Sequence, residues 1–317
     1  MTSSATNWHA TYSIVARDDE TGHIGVAVQT HQLGVGRMVS WMVPGIGAIA
    51  TQSFVNISYG PIGIAMLHEG IHAEAVIQGL VASDKLANRR QIGVVDTQGN
   101  AAAYTGKNCI REAGHYVGQG YSVQANMMSR STVIDAMRAA YESSTATFAM
   151  RMVAALQAAQ AEDGDIRGMQ SASLKIVSGE TTRNIWDSVY DLRVDEHDQP
   201  VAELARLTRI RQAQLVDQEG HTLLGTEPRE SLAKWKEARE LAPDQEELAF
   251  WQGVTLANNR IIIPQAISIA GRIIAQALDD HPRRSHWLDL IQRLEDSGII
   301  EKKGTAAELL AAIATES

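Results

Sequence analysis

The sequence predicts an α+β protein, in which a layered sandwich of sheets and helices is followed by an all-helical C-terminal domain. Strand-like and helix-like patterns occur in separate blocks up to residue 194, which is typical of an α+β sandwich and not of a parallel doubly wound sheet. From Pro200 to the C-terminus the pattern stays helical. The length of 317 residues suits two domains, since a domain usually has about 100 to 200 residues.

The first block begins with a predicted hairpin. Two β-branched runs, 11–17 and 23–30, are separated by turn-forming residues. A third strand is predicted at 46–53, where glycine and alanine permit close packing in a sheet. From Tyr59 onward the apolar spacing becomes helical and is broken at Gly70, which predicts two consecutive helices over one face of the sheet.

The following blocks repeat this change from strands to helices. A second hairpin is predicted at 91–105, and its turn lies at 96–100. The remaining elements of the sandwich are predicted in this order: helices at 131–142 and 146–162, and strands at 171–178 and 188–194.

The helical tail contains a weak internal repeat, in which three residues recur with the same spacing after 39 positions. They are Trp235, Ala238 and Pro243, followed by Ile274, Ala277 and Pro282. This pattern resembles a degenerate tetratricopeptide repeat, which predicts either a platform for partners or a cap on the neighbouring domain. The apolar stretch 261–278 is interrupted by a proline and by polar residues, so we expect a buried helix there and not a membrane span.

Composition excludes several classes of function. A net charge of -9 and a pI near 5.6 leave no basic surface for nucleic acid. The start of the sequence lacks the features of a secretory signal and Cys109 is the single cysteine, so we expect a cytoplasmic protein. The histidines lack metal-ligand spacing and the glycine-rich pieces lack nucleotide-binding patterns, so we expect no metal and no cofactor.

Several short motifs occur in order between residues 11 and 208. They are Thr11-Tyr-Ser-Ile-Val-Ala-Arg-Asp, Thr21-Gly-His-Ile-Gly-Val-Ala-Val, Gly47-Ala-Ile-Ala-Thr-Gln-Ser-Phe, Ser58-Tyr-Gly-Pro, Gly114-His, Gly120-Tyr-Ser-Val-Gln-Ala-Asn, Gly164-Asp-Ile-Arg-Gly-Met-Gln and Asp191-Leu-Arg-Val-Asp. Together they resemble a bacterial family of unknown function placed among the Ntn hydrolases. The resemblance implies an αββα sandwich at 11–208, after a leader at 1–10. The helical domain at 209–317 looks like the tail on one branch of that family.

The resemblance places the nucleophile of such an enzyme on Thr11. In Ntn hydrolases an N-terminal Thr, Ser or Cys uses its own free α-amine as the base, because an unactivated hydroxyl is a weak nucleophile. Ten residues precede Thr11, so it gains a free amine only when the Ala10–Thr11 bond is cut. The alternative is that Thr11 is an ordinary β-branched strand residue.

Three further residues are candidates for catalysis. His31 directly follows the second strand, and histidine is a residue type suited to proton transfer at neutral pH. Tyr59 stands at a helix start, where its hydroxyl suits a phenol or alkoxide, and Lys107 lies beyond a strand and suits an oxyanion. Each has a structural alternative: a surface histidine, an anchored turn and a solvated lysine. The candidates for substrate binding are Arg17, Trp41, Thr51, Ser53, Asn56, His115 and Gln124.

Three functions follow from these residues and from the resemblance. The first is a cofactor-independent lyase, because the resemblance implies a link to the breakdown of lignin-derived aromatic dimers with loss of formaldehyde. The second is an Ntn amidohydrolase, in which processing exposes Thr11 and Asn56, Gln124 or backbone amides serve the oxyanion. The third is a non-catalytic binding or assembly protein that recruits partners through its tail. We also expect a homo-oligomer, because Ntn-type domains commonly assemble through their outer layers.

Overall fold

The computed structural model describes residues 8–182, 184, 187–263 and 265–316. In this part of the chain the structure is a mixed α+β fold with two antiparallel sheets, as the sequence predicts. The chain divides into two compact units, one up to Thr208 and one from Arg209 onward.

The strands, in chain order, are β1 (Trp8–His9), β2 (Thr11–Arg17), β3 (Ile24–Thr30), β4 (Ser40–Val43), β5 (Gly47–Phe54), β6 (Arg90–Asp96), β7 (Ala101–Thr105), β8 (Gly114–Gly118), β9 (Tyr121–Asn126), β10 (Ser171–Val177) and β11 (Tyr190–Val194). Sheet I has the order β1-β5-β6-β7, and β4 also pairs with β5. Sheet II has the order β11-β10-β3-β2-β9-β8. The chain therefore passes from sheet I to sheet II between β1 and β2.

The helices, in chain order, are α1 (Tyr59–His68), α2 (Ala73–Ser83), α3 (Val133–Ser143), α4 (Phe148–Ala161), α5 (Pro200–Leu223), α6 (Pro228–Leu241), α7 (Glu246–Asn258), α8 (Ala266–Ala277), α9 (Arg284–Asp296) and α10 (Thr305–Thr315). In the first unit α1 and α2 pack on sheet I, and α3 and α4 pack on sheet II. The two sheets face each other, because β2 contacts both β5 and β6. The layers of this unit are thus helices, sheet, sheet, helices.

Most predicted elements of the first unit agree with the structure to within two residues. The strands β1 and β4 and the hairpin of β8 and β9 were not among the predicted elements. The hairpin was missed because β8 is short and begins and ends with glycine, while three of the six residues of β9 are polar. Polar side chains at alternate positions normally indicate a solvated face, but all of β9 is buried.

The second unit is helical throughout its described residues. Trp235 of α6 and Ile274 of α8, which occupy the same position of the predicted repeat, are both buried in its main core together with Phe250, Ile291 and Leu309. The helix predicted at 261–278 begins only at Ala266, and the side chain of Ile261 is fully exposed. No described helix is both long and apolar enough to cross a membrane.

The space between the two sheets has two chemically different halves. The apolar half is a cluster of aliphatic side chains: Val15, Ile24, Val26, Val28, Val35, Val39, Ala48, Ala50, Val95 and Val177. The polar half lies nearer the start of β2, and its members are at most 1% exposed: Thr11, Ser13, Thr30, Gln52, Gln91, Ser122, Gln124 and Asn126. Buried polar groups are costly unless they are hydrogen-bonded, so the polar half requires an account of its bonds.

Candidate functional site

A chain of hydrogen bonds crosses the polar half from sheet II to sheet I. Gln124 Nε2 donates to Ser13 Oγ at 2.6 Å, and Ser13 Oγ donates to Gln52 Oε1 at 2.6 Å. Gln52 Nε2 then donates to Gln91 Oε1 at 2.8 Å. Each group donates in the same direction along the chain, so the bonds polarise one another and hold the four side chains in one arrangement.

The hydrogen-bond chain continues to a histidine on β8. Gln91 Nε2 donates to Thr105 Oγ1 at 2.9 Å, and Thr105 Oγ1 lies 2.8 Å from His115 Nδ1. Thr105 Oγ1 can accept from Gln91 and donate its own proton to Nδ1, and a neutral His115 ring with its proton on Nε2 suits this arrangement. Desolvation lowers the pKa of His115, which also favours this neutral ring.

The Thr11 hydroxyl is fully enclosed. Thr11 Oγ1 donates to Thr30 Oγ1 at 3.2 Å, and Thr30 Oγ1 in turn donates to the Ala10 carbonyl oxygen. The carbonyl oxygen of Thr11 accepts from Gln52 Nε2 at 3.2 Å and from Asn126 Nδ2 at 3.3 Å. The side chain and both flanking carbonyls are therefore held by the surrounding protein, and Thr11 is 0% exposed.

An arginine and an aspartate complete this region. Arg167 Nη2 donates to the Ala10 carbonyl oxygen at 3.2 Å, and Arg167 Nε and Nη2 form a fork on Asp165 at 3.1 and 2.9 Å. The Asp165 carboxylate also accepts from the backbone N–H of His31 at 3.0 Å. We name the group of Ala10, Thr11, Thr30, His31, Asp165 and Arg167 the Thr11 corner.

Exposure differs within the Thr11 corner. The side chain of Asp165 is 0% exposed, whereas that of Arg167 is 30% exposed. His31 is half-buried, and its Nδ1 has no hydrogen-bond partner among the described residues. His31 and Arg167 are therefore more accessible than Thr11, which is 0% exposed.

Backbone strain occurs at two strand ends on this side of the sandwich. Ser53, next to last in β5, has φ of 69° although it is 1% exposed, and Met127, which follows β9 directly, has φ of 58°. A non-glycine residue in this conformation costs about 1–3 kcal/mol and persists only where its surroundings enforce it. Such residues concentrate at functional sites, which favours a functional site at this end of the sandwich.

Tyr59 and Asn56 belong to a separate, structural cluster. Tyr59 Oη donates to Asp84 Oδ2 at 2.9 Å, Arg90 Nε donates to the same oxygen at 2.8 Å, and Asn56 Nδ2 lies 3.5 Å from it. Burial and the Asp84 carboxylate raise the pKa of Tyr59 well above its usual value. The hydroxyl of Tyr59 is thus engaged in joining α1 to the start of β6, which agrees with the structural alternative for this residue.

Four other predicted residues lie away from the Thr11 corner or point to other layers. Trp41 packs on Gly60 of α1, and its indole N–H donates to the Met38 carbonyl oxygen at 2.9 Å. Thr51 alternates with Gln52 and so faces the helices. Arg17 pairs with Asp19 at the far end of β2, about 20 Å along the strand from Thr11. Lys107 is exposed in the turn after β7.

The structure brings four predicted residues into the polar half and its edge. Thr11 and His31 lie in the Thr11 corner, and Gln124 and His115 lie at the two ends of the hydrogen-bond chain. The residues that the sequence analysis missed are Ser13, Thr30, Gln52, Gln91, Asn126, Asp165 and Arg167. The available signal was position: Thr30 directly precedes His31, and Asp165 and Arg167 lie within the motif at 164–170.

Residues 11–204 match the family of unknown function DUF1028. The chain belongs to the DUF1028 family. This confirms the expected membership in a family of unknown function, and the matched range contains all of the Thr11 corner except Ala10. The crystal structure of protein SPO2555 from Silicibacter pomeroyi, also of DUF1028, is similar, with 32% sequence identity and a TM-score of 0.57. The match covers 62% of this chain and 84% of that one. None of the curated proteins matches this DUF1028 chain.

Proposed function

We propose that this DUF1028 chain is a cofactor-independent enzyme with an Ntn-hydrolase type of sandwich. Its proposed reaction is a carbon–carbon lyase reaction that releases formaldehyde from a lignin-derived aromatic dimer. The observation that carries the proposal is the burial of Thr11, whose side chain is 0% exposed and whose hydroxyl is engaged with Thr30 Oγ1 at 3.2 Å. Acid–base chemistry of this kind needs neither a free amine nor an exposed hydroxyl at Thr11.

His31 is the base in this reaction. It removes the O–H proton of a hydroxymethyl group on the substrate, and the O–H electron pair becomes the second bond of formaldehyde. The substrate's own phenol first forms a quinone methide by expelling a benzylic hydroxyl group, which leaves as water with the phenol proton. The electron pair of the breaking C–C bond then passes into this quinone methide, which returns to a phenolate. All electrons stay within the substrate, so the reaction consumes no oxidant and no cofactor.

The chain before Thr11 supports a reaction that leaves the Ala10–Thr11 bond intact. β1 pairs with β5 in sheet I at Trp8↔Phe54 and His9↔Ser53, whereas β2 begins sheet II. Ala10 connects the two strands and is 0% exposed. Cleavage at this bond would cut the covalent connection between the sheets at this end, so an uncut chain fits the architecture better.

The test is formaldehyde release from a phenolic dimer that carries a hydroxymethyl group. We expect Thr11→Ala to retain most activity, and His31→Gln to lower the rate about 10²- to 10⁴-fold, as expected for loss of a general base. His23→Gln, a histidine before β3 at the opposite end of that strand, is the matched control. Loss of activity in Thr11→Ala together with full activity in His31→Gln would overturn the assignment.

A second candidate, the Ntn amidohydrolase, is favoured by one specific observation. The Ala10 carbonyl oxygen accepts hydrogen bonds from both Thr30 Oγ1 and Arg167 Nη2. Two such donors, one of them charged, stabilise the oxyanion that forms when a nucleophile attacks this carbonyl. The Thr11 hydroxyl lies beside them, so the same contacts suit a chain that cuts itself before Thr11.

Intact mass separates the two candidates. The lyase requires a full-length mass for the active protein, whereas the amidohydrolase requires loss of residues 1–10. A processed chain that hydrolyses amides, and a Thr11→Ala variant that stays uncut and inactive, would replace the lyase by the amidohydrolase. Turnover of neither substrate class would favour the non-catalytic assembly protein.

We further propose that the second unit is a tetratricopeptide-like domain and that the protein is a cytoplasmic homo-oligomer. The repeat is supported by the burial of Trp235 and Ile274 at equivalent positions of α6 and α8. Light scattering of the purified full chain tests the oligomer, and a monomeric mass at all concentrations would contradict it.

A further inference from the structure

The guanidinium of Arg167 is fixed at one side and open at the other. Its Nε and Nη2 atoms are bound to Asp165 and to the Ala10 carbonyl, whereas Nη1 makes no hydrogen bond to any described residue. The supporting carboxylate of Asp165 is 0% exposed and is itself held by the backbone N–H groups of His31 and Arg167. The open edge of Arg167 is therefore presented in one orientation.

Three exposed apolar side chains lie on backbone segments that adjoin the Thr11 corner. Ile166, next to Arg167, is 65% exposed, and Leu33, two residues after His31, is 61% exposed. The backbone of Ile166 bonds to Met127, and Met127 in turn bonds to Ile110, which is 40% exposed. We name Leu33, Ile110 and Ile166 the apolar rim. Large exposed apolar side chains on segments next to a buried polar centre favour a binding site there.

We infer that Arg167 is the anion-binding residue of the Thr11 corner, and that its ligand is an aromatic monoanion whose charged oxygen meets Nη1 while its ring contacts the apolar rim. The charged group is a phenolate or a carboxylate, since both present oxygens to a guanidinium edge in the same way. The inference rests on the proposed small-molecule function of this corner, but it does not require carbon–carbon cleavage.

The fixed geometry of Arg167 supports this role over a purely structural one. A guanidinium held by a buried carboxylate loses little conformational freedom when it binds a second anion, so the bond is gained at low entropic cost. The negative charge of Asp165 partly offsets the positive charge of the Arg167 guanidinium. We therefore expect selectivity for an anion but only moderate affinity. A neutral aromatic of the same shape gains only the contact with the apolar rim.

The experiment is a binding titration of the purified full chain, followed by NMR, with four probes. They are benzoate, 4-nitrophenolate, benzyl alcohol and acetate. We expect benzoate or 4-nitrophenolate to bind at least tenfold more tightly than benzyl alcohol and acetate, and the stronger of the two identifies the charged group. Arg167→Met should abolish this preference, and Arg167→Lys should retain part of it.

Arg206→Met is the matched control, because Arg206 forms the same Nε and Nη2 fork, at 2.8 and 2.7 Å, on Glu203. We expect it to bind the probes like the unmodified chain. Equal binding of benzyl alcohol and the aromatic anions by the unmodified chain would overturn the inference, and so would binding of none of the probes. These outcomes stand even where Arg167→Met fails to fold. Selective anion binding without formaldehyde release would uphold this inference and contradict the lyase.

Discussion

The two halves of the space between the sheets share strands but differ in chemistry. On β6, Val95 belongs to the apolar half and Gln91 to the polar half, on the same face and four residues apart. On β2, Val15 and Thr11 have the same relation. Aliphatic burial is non-directional and stabilises any well-packed arrangement, whereas buried amides tolerate only the arrangement that satisfies their bonds. The apolar half therefore holds the sheets together, and the polar half fixes how they face each other near the Thr11 corner.

This difference predicts opposite tolerance to substitution. A smaller aliphatic residue leaves a cavity, whose cost depends on how far the neighbours relax. Removal of an amide leaves its former partners buried without hydrogen bonds, and each such group costs about 1–3 kcal/mol.

The largest effect is expected for Gln91→Leu. The two protons of Gln91 Nε2 are shared among three acceptors at 2.9 Å, Thr105 Oγ1 and the Gly114 and Ala125 carbonyl oxygens, and Gln91 Oε1 accepts from Gln52 and Asn126. Loss of these bonds should destabilise the first unit by about 4 kcal/mol or more. Val95→Ala on the same strand should cost about 2 kcal/mol. Hydrogen exchange of β6 in the full chain measures both, and a smaller loss in Gln91→Leu than in Val95→Ala would break the comparison.

The second effect is acid destabilisation through Asp84, which binds Arg90 beside Gln91. Burial raises the pKa of Asp84, but hydrogen bonds from Arg90, the Leu86 N–H and Tyr59 outweigh this and lower it from 3.8 to about 2. Because the pKa of Asp84 is lower in the folded state than in the unfolded state, its ionised carboxylate stabilises the fold at any pH above the unfolded-state pKa. This contribution of about 2 kcal/mol is lost as the pH falls through the folded-state pKa.

Acid unfolding curves test this assignment. Tyr59→Phe removes one of the hydrogen bonds that lower the pKa of Asp84, so its stability should depend less on pH between 3.8 and about 2. Asp19→Asn, whose parent side chain is 69% exposed at the far end of β2, is the control and should follow the unmodified chain. An unchanged pH dependence in Tyr59→Phe would contradict the assignment.

The third effect is expected at Gly93, which lies on β6 between Gln91 and Val95 and so marks the border of the two halves. A Cβ atom there would lie 2.4 Å from Gln124 Oε1 and 2.8 Å from Ser122 Oγ. Gly93→Ala should therefore destabilise the first unit by about 1–3 kcal/mol through overpacking.

A double-mutant cycle locates the cause of that loss. In a Gln124→Ala background the added methyl group has room, so Gly93→Ala should cost less than it does alone. Gly225→Ala is the control, since a Cβ atom at Gly225 meets nothing within 4 Å. Strict additivity of the Gly93 and Gln124 substitutions would show that Gln124 does not set the border.

The α+β class was predictable from local patterns, but the polar half was not. Alternating polarity on β9 predicts a solvated face, yet Ser122, Gln124 and Asn126 are buried against sheet I. Which strands of one sheet face which strands of the other depends on long-range packing, and no single strand encodes it. Gln52 and Gln91 therefore gave no local sign that they meet at 2.8 Å.

The Thr11 corner was predictable in part for the same reason. Thr11 and His31 were identified by their positions at strand ends, which is a local property. Asp165 and Arg167 reach the corner from a loop more than 130 residues away in sequence, as the hydrogen bond from His31 to Asp165 shows. A motif at 164–170 marked that loop as noteworthy, but only the fold shows that its arginine binds the carbonyl of Ala10.

The smallest effects are expected where the hydrogen-bond chain reaches the surface. Thr105→Val removes one acceptor of Gln91 Nε2, but Gly114 and Ala125 still accept from it at 2.9 Å, so the cost should be about 1 kcal/mol or less. His115→Gln should cost less still, because His115 is exposed and water replaces its bond to Thr105.

Since the folded state lowers the pKa of His115, the unmodified chain should lose slight stability as the pH falls below 6.5, and His115→Gln should not. Urea unfolding of both variants at two pH values measures this gradient. A cost for His115→Gln as large as that for Gln91→Leu would mean that the surface histidine, and not the buried amides, anchors the polar half.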